Sequence, residues 1–554
     1  MSETMAGRSA GTLQAAGAAS RAEFGSDLLI ELMQQLEIPY VALNPGASFR
    51  GIHDSLVNFA GGKPELVLCC HEEIAVAVAI GYANVTGKPM VAATHSTVGL
   101  QHASMAIFNA WCARVPLIVI GGTGPVAAHK RRNWIDWVHT ALVQGNQVRD
   151  YTKFDDQPGS VADFPESFLR AYRIAMTEPT GPVYVCYDVE LQEQPIAEPI
   201  ALPDASRFRP PAPSAPDPAA LREVARLLSG AAWPVIVADA VGRHPEALPA
   251  LRELAELLAA PVVSVGGFNL PTDHPLNLSA ARADVLRRAD FVLALDVADL
   301  AGALGSGVAA EYDPTPLLAP EAKVAHISVW DLMQRSWAAD YERLHPVDIP
   351  ITAATRLALP ALLELCRQEA GKSSAAVEAR RAETERMRAA LRERREAARA
   401  RAWNSTPVSG ERLFGELLQA VGDVPWTFVN GGPAGRGGFE LTSPEQTVSP
   451  GGASGGGLGS AAGAAAGAAL ALKDSGRLLI SIQGDGDFLY TPSTLYTVSN
   501  QKLPLLTIVN NNRSYGNDEG HQEYMARSRG RPVENKGVGI YIEDPAPDFA
   551  RLAR

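Results

Sequence analysis

The sequence predicts an α/β protein made of three doubly wound parallel-sheet domains, and three observations carry that expectation. The chain has 554 residues, 46% hydrophobic and 20% charged, which is enough for about three domains of roughly 150–200 residues. Short apolar runs alternate with helical patterns along most of its length, as parallel strands joined by crossover helices require. A proline-studded stretch and a long charged stretch interrupt that alternation and divide it into three blocks.

Residues 1–22, rich in Ala, Gly and Ser, lack the apolar core of a secretory signal and are expected to be a disordered leader. The first block, residues 23–194, holds strand candidates Tyr40–Leu43, Glu65–Cys70, Met90–Ala93, Pro116–Ile120 and Pro182–Tyr187. Residues 195–218 form the proline-rich linker. The second block, residues 219–365, holds strand candidates Trp233–Ala238, Pro261–Val265, Phe291–Leu295 and Val324–Ser328, with helical patterns over Ala219–Leu228 and Pro245–Leu258. Its first strand leads into Ala238-Asp239-Ala240-Val241-Gly242-Arg243, which lacks the glycine spacing of a dinucleotide loop. Residues 366–405 read as a connection, in which 372–402 carry opposite charges at helical spacing and predict a solvated helix. The third block, residues 406–554, stops in what reads as the first turns of a helix, so a further C-terminal piece is expected.

Lysine plus arginine number 49 against 61 acids, a formal charge of −12, which argues against nucleic acid or an anionic membrane as the main partner. Five cysteines, Cys69, Cys70, Cys112, Cys186 and Cys366, show no metal-ligand spacing and read as buried thiols of a cytoplasmic protein. Gly451–Leu472 is uncharged but almost entirely Gly and Ala, so close backbone packing explains it better than a membrane span.

The chemistry is concentrated after two strands of the third block. Leu478–Ile482 runs into Gly484-Asp485-Gly486-Asp487, and Leu505–Val509 runs into Asn510-Asn511-Asn512. Asp485 and Asn512 stand 27 residues apart, a distance one β-α-β crossover returns to adjacent strand ends, where such sheets bind ligands. A carboxylate, an amide oxygen and a main-chain carbonyl suit a hard cation such as Mg²⁺, and the glycines let backbone N–H groups approach a diphosphate. In the first block, Cys69-Cys70-His71-Glu72-Glu73 closes a strand and opens the apolar helix Ile74–Tyr82. Gly455-Gly456-Gly457-Leu458-Gly459-Ser460 opens a third small-residue segment.

Together these segments resemble the thiamine-diphosphate-dependent enzymes of the benzoylformate decarboxylase, pyruvate decarboxylase and acetolactate synthase group, over nearly the whole chain. The resemblance implies a pyrimidine-binding domain, a central Rossmann-like domain and a diphosphate-binding domain. It implies that Asp485, Asn512 and the carbonyl of Ser514 hold Mg²⁺, with backbone at Gly486 and Asp487 on the diphosphate. Relatives often carry Ser or Ala at the Asp487 position, so its carboxylate must point away or pair with a cation such as Arg513. Glu72, nine residues before the Gly81-Tyr82 pair, is implied to promote the imino tautomer that yields the C2 ylid. Leu458 falls on the wedge that bends the cofactor, with the carbonyl of Gly456 on its amino group.

On the substrate side, His95 falls where benzoylformate decarboxylase has an active-site histidine and implies proton delivery. Ala47 stands where relatives use Ser or Asp, so Ser48 takes that task or it moves elsewhere. Asp518 matches the acid of pyruvate decarboxylase; Glu519 and His521 follow it and fit either a relay or a polar helix face. The aromatics and cations of Arg131–His139 suit either an aryl or acidic substrate or a subunit interface. The implied activity is decarboxylation of a 2-oxo acid through ylid and enamine intermediates. The alternatives are carboligation like that of acetolactate synthase, and cofactor binding without catalysis. The implied assembly is a homodimer or homotetramer whose cofactor bridges two chains.

Overall fold

A computed structural model describes residues 20–306, 315–333, 343–369, 374–431, 440–448 and 455–554. The expected leader therefore lies almost wholly outside the described residues.

Six strands form the first sheet: β1 (Tyr40–Leu43), β2 (Glu65–Leu68), β3 (Val91–Thr94), β4 (Leu117–Thr123), β5 (Phe154–Asp156) and β6 (Pro182–Asp188). Their order is β2-β1-β3-β4-β6-β5, and every pairing is parallel. Five of these strands were legible as apolar runs. The sixth, β5, is a three-residue, half-buried edge of sequence Phe-Asp-Asp whose pattern carries no strand signal.

The middle sheet holds β7 (Pro234–Ala238), β8 (Val262–Ser264), β9 (Phe291–Leu295), β12 (Lys323–Ser328) and β13 (Ile349–Thr352), with a small antiparallel pair, β10 (Gly305–Ser306) and β11 (Thr315–Pro316), beside it. The order β13-β12-β9-β7-β8 places β13 at an edge. Pro350 is tolerated there because an edge strand leaves one row of backbone groups unpaired. The third sheet is β14 (Trp426–Gly431), β15 (Leu478–Gly484) and β16 (Leu505–Asn510), parallel, with β15 central.

One apolar core is shared by the first and third units, joining Val76, Ala79 and Ile107 to Ala465, Ala469 and Leu479. The helix Glu72–Thr86 lies along the helix Ser460–Leu472. A Cβ on Gly81 would sit 1.9 Å from the Ala464 carbonyl oxygen, and one on Gly467 would sit 1.8 Å from that of Val78. The small residues of the uncharged stretch thus permit backbone-to-backbone packing, as its composition implied. Among the described residues, no helix is long and apolar enough to cross a membrane.

The charged connection departs from expectation. Ser374–Ala402 is a helix, but it is anchored as well as solvated. Arg380 is buried and donates to the carbonyls of Leu258 and Ala231, and Arg388 donates to that of Asn277. Long arginine stems cover apolar surface while their forks satisfy strand and helix ends, which a charge pattern alone does not reveal. At the other end of the chain, Phe549–Leu552 is a helical turn capped by Asp548, which accepts the Arg551 N–H.

Candidate active site

Because β1, β2 and β3 run parallel as neighbours, the loops after them share one edge of the first sheet. After β2, His71 caps the helix Glu72–Thr86 by accepting the Glu73 N–H at Nδ1, 3.2 Å. Glu72 follows and is buried, 3% exposed. Its Oε2 lies 3.1 Å from Nδ1 of His102, and the His102 ring stacks on His71 with centroids 4.7 Å apart. Burial and the His102 charge lower the His71 pKa, against the pull of Glu72. His71, Glu72 and His102 bring ligand-type atoms within 4.8 Å of one another. The two rings are nearly parallel, 22° apart, so their in-plane lone pairs do not converge on a common point as tetrahedral coordination requires. The trio is better described as a hydrogen-bonded acid with two imidazoles.

After β3, His95 meets the loop that follows β1. Its Nδ1 is 2.7 Å from Ser48 Oγ, and that oxygen also accepts the Ser96 N–H at 2.9 Å. Oγ, accepting from the backbone, is free to donate its own O–H to Nδ1, and in that arrangement the neutral imidazole carries its proton on Nε2. Ser48 therefore orients His95 and is itself buried, 1% exposed. The carbonyl of neighbouring Ala47 accepts from Arg132 at 3.0 Å. Arg132 in turn forms an ion pair with buried Asp136. Burial lowers the His95 pKa, helped by His139 and opposed by Glu72. Gly99 lies between the two candidates: a Cβ there would come 2.7 Å from Glu72 Oε1 and 2.8 Å from His95 Cβ.

His139 was not singled out from sequence. Its ring stands edge-on to His95 with centroids 5.0 Å apart, and its Nδ1 is buried without a hydrogen-bond partner among the described residues. The signal available was only its place in the Arg131–His139 segment. Trp134 and Trp137 of that segment are exposed, 72% and 77%.

In the third unit Gly484 pairs with Asn510 at the ends of β15 and β16, which sets the two cation-binding candidates side by side. Asp485 is buried and accepts the N–H groups of Gly486 at 2.9 Å and Arg513 at 2.6 Å. Next to Arg513, the Asn512 side chain accepts the Ser514 N–H at 3.4 Å, and Ser514 Oγ donates to Glu519 at 2.9 Å. Tyr515 closes over Gly486, where a Cβ would sit 2.4 Å from its ring. Asp518 is exposed on the first turn of the helix Gly516–Ser528, and His521 is exposed further along it. Glu519, not Asp518, braces this loop.

Asp487 resolves the departure noted in the sequence. It does not pair with Arg513 among the described contacts; its Oδ1 accepts the Gly459 N–H at 2.7 Å, and burial raises its pKa against that bond. Gly459, at φ +99°, is the N-cap of Ser460–Leu472 and ends the segment carrying Gly456 and Leu458. That segment rests on the first unit, with Gly455 against Phe108 and Gly457 against Met105. Leu458 is 39% exposed, and the far side of Gly456, at φ +67°, is open.

One contact joins the two halves. Glu73 accepts from Ser460 Oγ at 2.5 Å and from the Ala106 N–H at 3.0 Å, and burial pushes its pKa up to about 7. Asn109 also donates to Ser460, at 2.8 Å. The edge bearing Glu72 thus meets the loop that Asp487 ties to the Asp485 turn, and these contacts are made within one chain. A separate cleft of about 1170 Å³ opens at the middle sheet. There Arg243 donates to the carbonyls of Ala113 and Arg114, and Arg356 pairs with Glu178, so its cations tie the units together.

Three family profiles match this chain: the N-terminal TPP binding domain of thiamine pyrophosphate enzymes over residues 24–144, the central domain over 221–362 and the C-terminal TPP binding domain over 434–554. The acetolactate synthase large subunit of Lactococcus lactis subsp. lactis is 30% identical over 348 residues, 62% of this chain and 57% of that one. The probable 2-ketoarginine decarboxylase of Pseudomonas aeruginosa is 29% identical over 496 residues, 88% and 80% of the two chains. The match therefore spans little more than half of the synthase. The crystal structure of benzoylformate decarboxylase from Polynucleobacter necessarius superimposes with a TM-score of 0.73 at 19% identity, covering 96% of this chain and 92% of that one, and shares its fold. The chain belongs to the thiamine pyrophosphate enzymes, a family that includes 2-oxo acid decarboxylases and acetolactate synthases.

Proposed function

We propose that this chain binds thiamine diphosphate with Mg²⁺ at the seam between its first and third units and decarboxylates a 2-oxo acid. The observation that carries the reading is the Glu73–Ser460 contact. It holds the buried carboxyl of Glu72 at the same seam as the Gly456–Gly459 segment and the Asp485 turn.

The residues present fit the cofactor. Asp485 and the side chain of Asn512, with the Ser514 carbonyl, form an all-oxygen donor set suited to Mg²⁺. The Asp487 carboxylate is turned to Gly459, which leaves the backbone at Gly486 and Asp487 for the diphosphate without repulsion. A Cβ at Gly456 would meet nothing within 4 Å and Leu458 is 39% exposed, so this segment is accessible from one side. In this reading the unit over residues 23–194 takes the pyrimidine end and the unit over 406–554 the diphosphate. When bound, thiamine diphosphate supplies an electron sink for the carbanion left by loss of CO₂.

The chain's own residues do the rest. Glu72 holds and moves a proton at the carboxyl oxygen facing Gly99. His95, oriented by Ser48, delivers the Nε2 proton to the carbon that has lost CO₂. Asp518 is assigned a part only in proton traffic at the mouth of the site. Carboligation is kept as a second reading because of the synthase relative, in which the carbanion attacks a second carbonyl instead of a proton. The homodimer or homotetramer implied by resemblance is proposed with it, to be checked by sedimentation; the seam described above joins two units of one chain, in contrast to the two-chain site that the resemblance implies.

The test is single-turnover CO₂ release from a panel of aliphatic and aryl 2-oxo acids with thiamine diphosphate and Mg²⁺, comparing wild type with Glu72→Gln. Release in wild type and its loss in the variant support the proposal, and an aldehyde product rather than a 2-hydroxy ketone assigns decarboxylation. No release from any acid by the loaded wild type would overturn it.

A further inference from the structure

A buried carboxyl that must lose and regain a proton at each turnover needs a route to solvent. Glu72 is such a group: its side chain is 4% exposed. Apolar Ile74 and Leu100 are fully buried nearby in the shared core, and Gly99 stands over Oε1. The charged or titratable groups around it are His71, Glu73, His95 and His102. Each of the first three is otherwise engaged. His71 Nδ1 accepts the Glu73 N–H, Glu73 is held by Ser460 and Ala106, and His95 Nδ1 is held by Ser48.

His102 differs. Its Nδ1 is 3.1 Å from Glu72 Oε2, while its side chain is 55% exposed. A ring with one nitrogen on a buried carboxylate and the rest in solvent joins acid and water in a single residue. The stack on His71, with centroids 4.7 Å apart, holds the ring in that plane.

Resting on the function proposed above, we propose that His102 is a proton relay that recharges Glu72 from solvent. After Glu72 gives up its proton on the Oε1 side, the Nδ1–H of His102 passes to Oε2, and Nε2 takes a proton from water. The imidazole stays neutral with its tautomer reversed, and it is reset when Glu72 passes a proton back to Nδ1 and Nε2 releases one to water in the opposite half of the cycle. One proton has moved from solvent to the carboxyl, and no other reactant is needed. His71 is a positioning residue in this scheme, acting through the stack.

The experiment uses the full chain loaded with thiamine diphosphate and Mg²⁺, and follows hydrogen–deuterium exchange at the cofactor C2 by rapid quench and NMR. His102→Asn keeps a side-chain N–H donor but has no second titratable nitrogen. Exchange should slow by about 100-fold, the scale of a lost general acid–base group, while cofactor affinity read by fluorescence quenching holds. His102→Ala should recover part of the rate with added imidazole.

An independent readout needs no cofactor. The His102 ring nitrogen resonance in the unloaded protein should shift in Glu72→Gln relative to wild type, because the carboxylate that its Nδ1 meets at 3.1 Å is gone. Exchange as fast in His102→Asn as in wild type, with Glu72→Gln inactive, would overturn the relay and leave the proposed function standing. No C2 exchange in the loaded wild type would overturn both.

Discussion

The Asp487 carboxylate accepts the backbone N–H of Gly459 across 2.7 Å, joining the turn that carries Asp485 to the segment that carries Leu458. An acid at this position therefore braces one binding element against another. A buried hydrogen bond to a charged acceptor contributes about 1.5–3 kcal/mol. Asp487→Ala should weaken thiamine diphosphate binding by about tenfold or more. Asp487→Asn retains an acceptor oxygen and should bind nearly as wild type. Titration of cofactor into each protein by fluorescence checks this, and a tighter complex with Asp487→Ala would mean that the carboxylate repels the diphosphate instead.

The Glu73–Ser460 contact should make the seam sensitive to pH. The Glu73 pKa is raised from 4.5 to about 7, so the folded state binds its proton more tightly than the unfolded state does. Its contribution is then full below about pH 4.5 and is lost as pH rises through about 7. The shift corresponds to about 3 kcal/mol across that window. Glu73→Gln, which stays neutral, should flatten the dependence of the thermal midpoint on pH between about 5 and about 8 relative to wild type. Identical slopes for the two proteins would show that Glu73 is not the titrating group.

Gly81 and Gly467 set the distance between the helices Glu72–Thr86 and Ser460–Leu472. A side chain at either must displace main-chain carbonyls, with Cβ positions 1.9 Å and 1.8 Å from the nearest oxygen. Gly81→Val and Gly467→Val should each destabilise the chain by about 3 kcal/mol, at the upper end of overpacking costs. They should also lower cofactor affinity, because the seam opens. Urea midpoints and cofactor titrations on the same samples separate the two effects. Gly230→Ala, where a Cβ meets nothing within 4 Å and the backbone is not left-handed, controls for substitution at a glycine outside the seam.

The candidate site was legible where its residues lie in short segments after strands. Asp485 and Asn512 show themselves by their spacing across one β-α-β unit, and Glu72 by its distance from Gly81-Tyr82. What the sequence hid are partnerships between distant positions. Asp487 looked like an intruder because its partner, Gly459, lies 28 residues away in another loop. His102 sits inside an apolar helix and His139 inside a surface segment; neither position announces that its ring meets Glu72 or His95. Nor does the sequence disclose that Ser48, 47 residues from His95, meets its ring. The strands missed were the edges β5, β13 and β14 and the two-residue strands β10 and β11; the half-buried, polar or proline-bearing runs of β5 and β13 lack the apolar continuity of central strands.

The Ser48–His95–His139 group makes a prediction about pH whose sign is definite. His95 has its pKa lowered first by burial and then by His139, against Glu72, so it stays neutral to lower pH than an ordinary imidazole. In the tautomer whose Nδ1 accepts from Ser48, the neutral ring carries its proton on Nε2, and we take that form as the competent donor. kcat/KM should therefore fall on the acid side as His95 becomes imidazolium and loses the Ser48 hydrogen bond. His139→Gln removes one of the influences that lowers the pKa, so the acid limb should move to higher pH. Ser48→Ala should leave KM nearly unchanged and lower kcat by about tenfold or more, because the ring loses the partner that sets its tautomer. pH profiles of all three proteins with one accepted 2-oxo acid decide the matter. A rate that rises as pH drops through the same limb would make imidazolium the working acid and overturn the tautomer assignment.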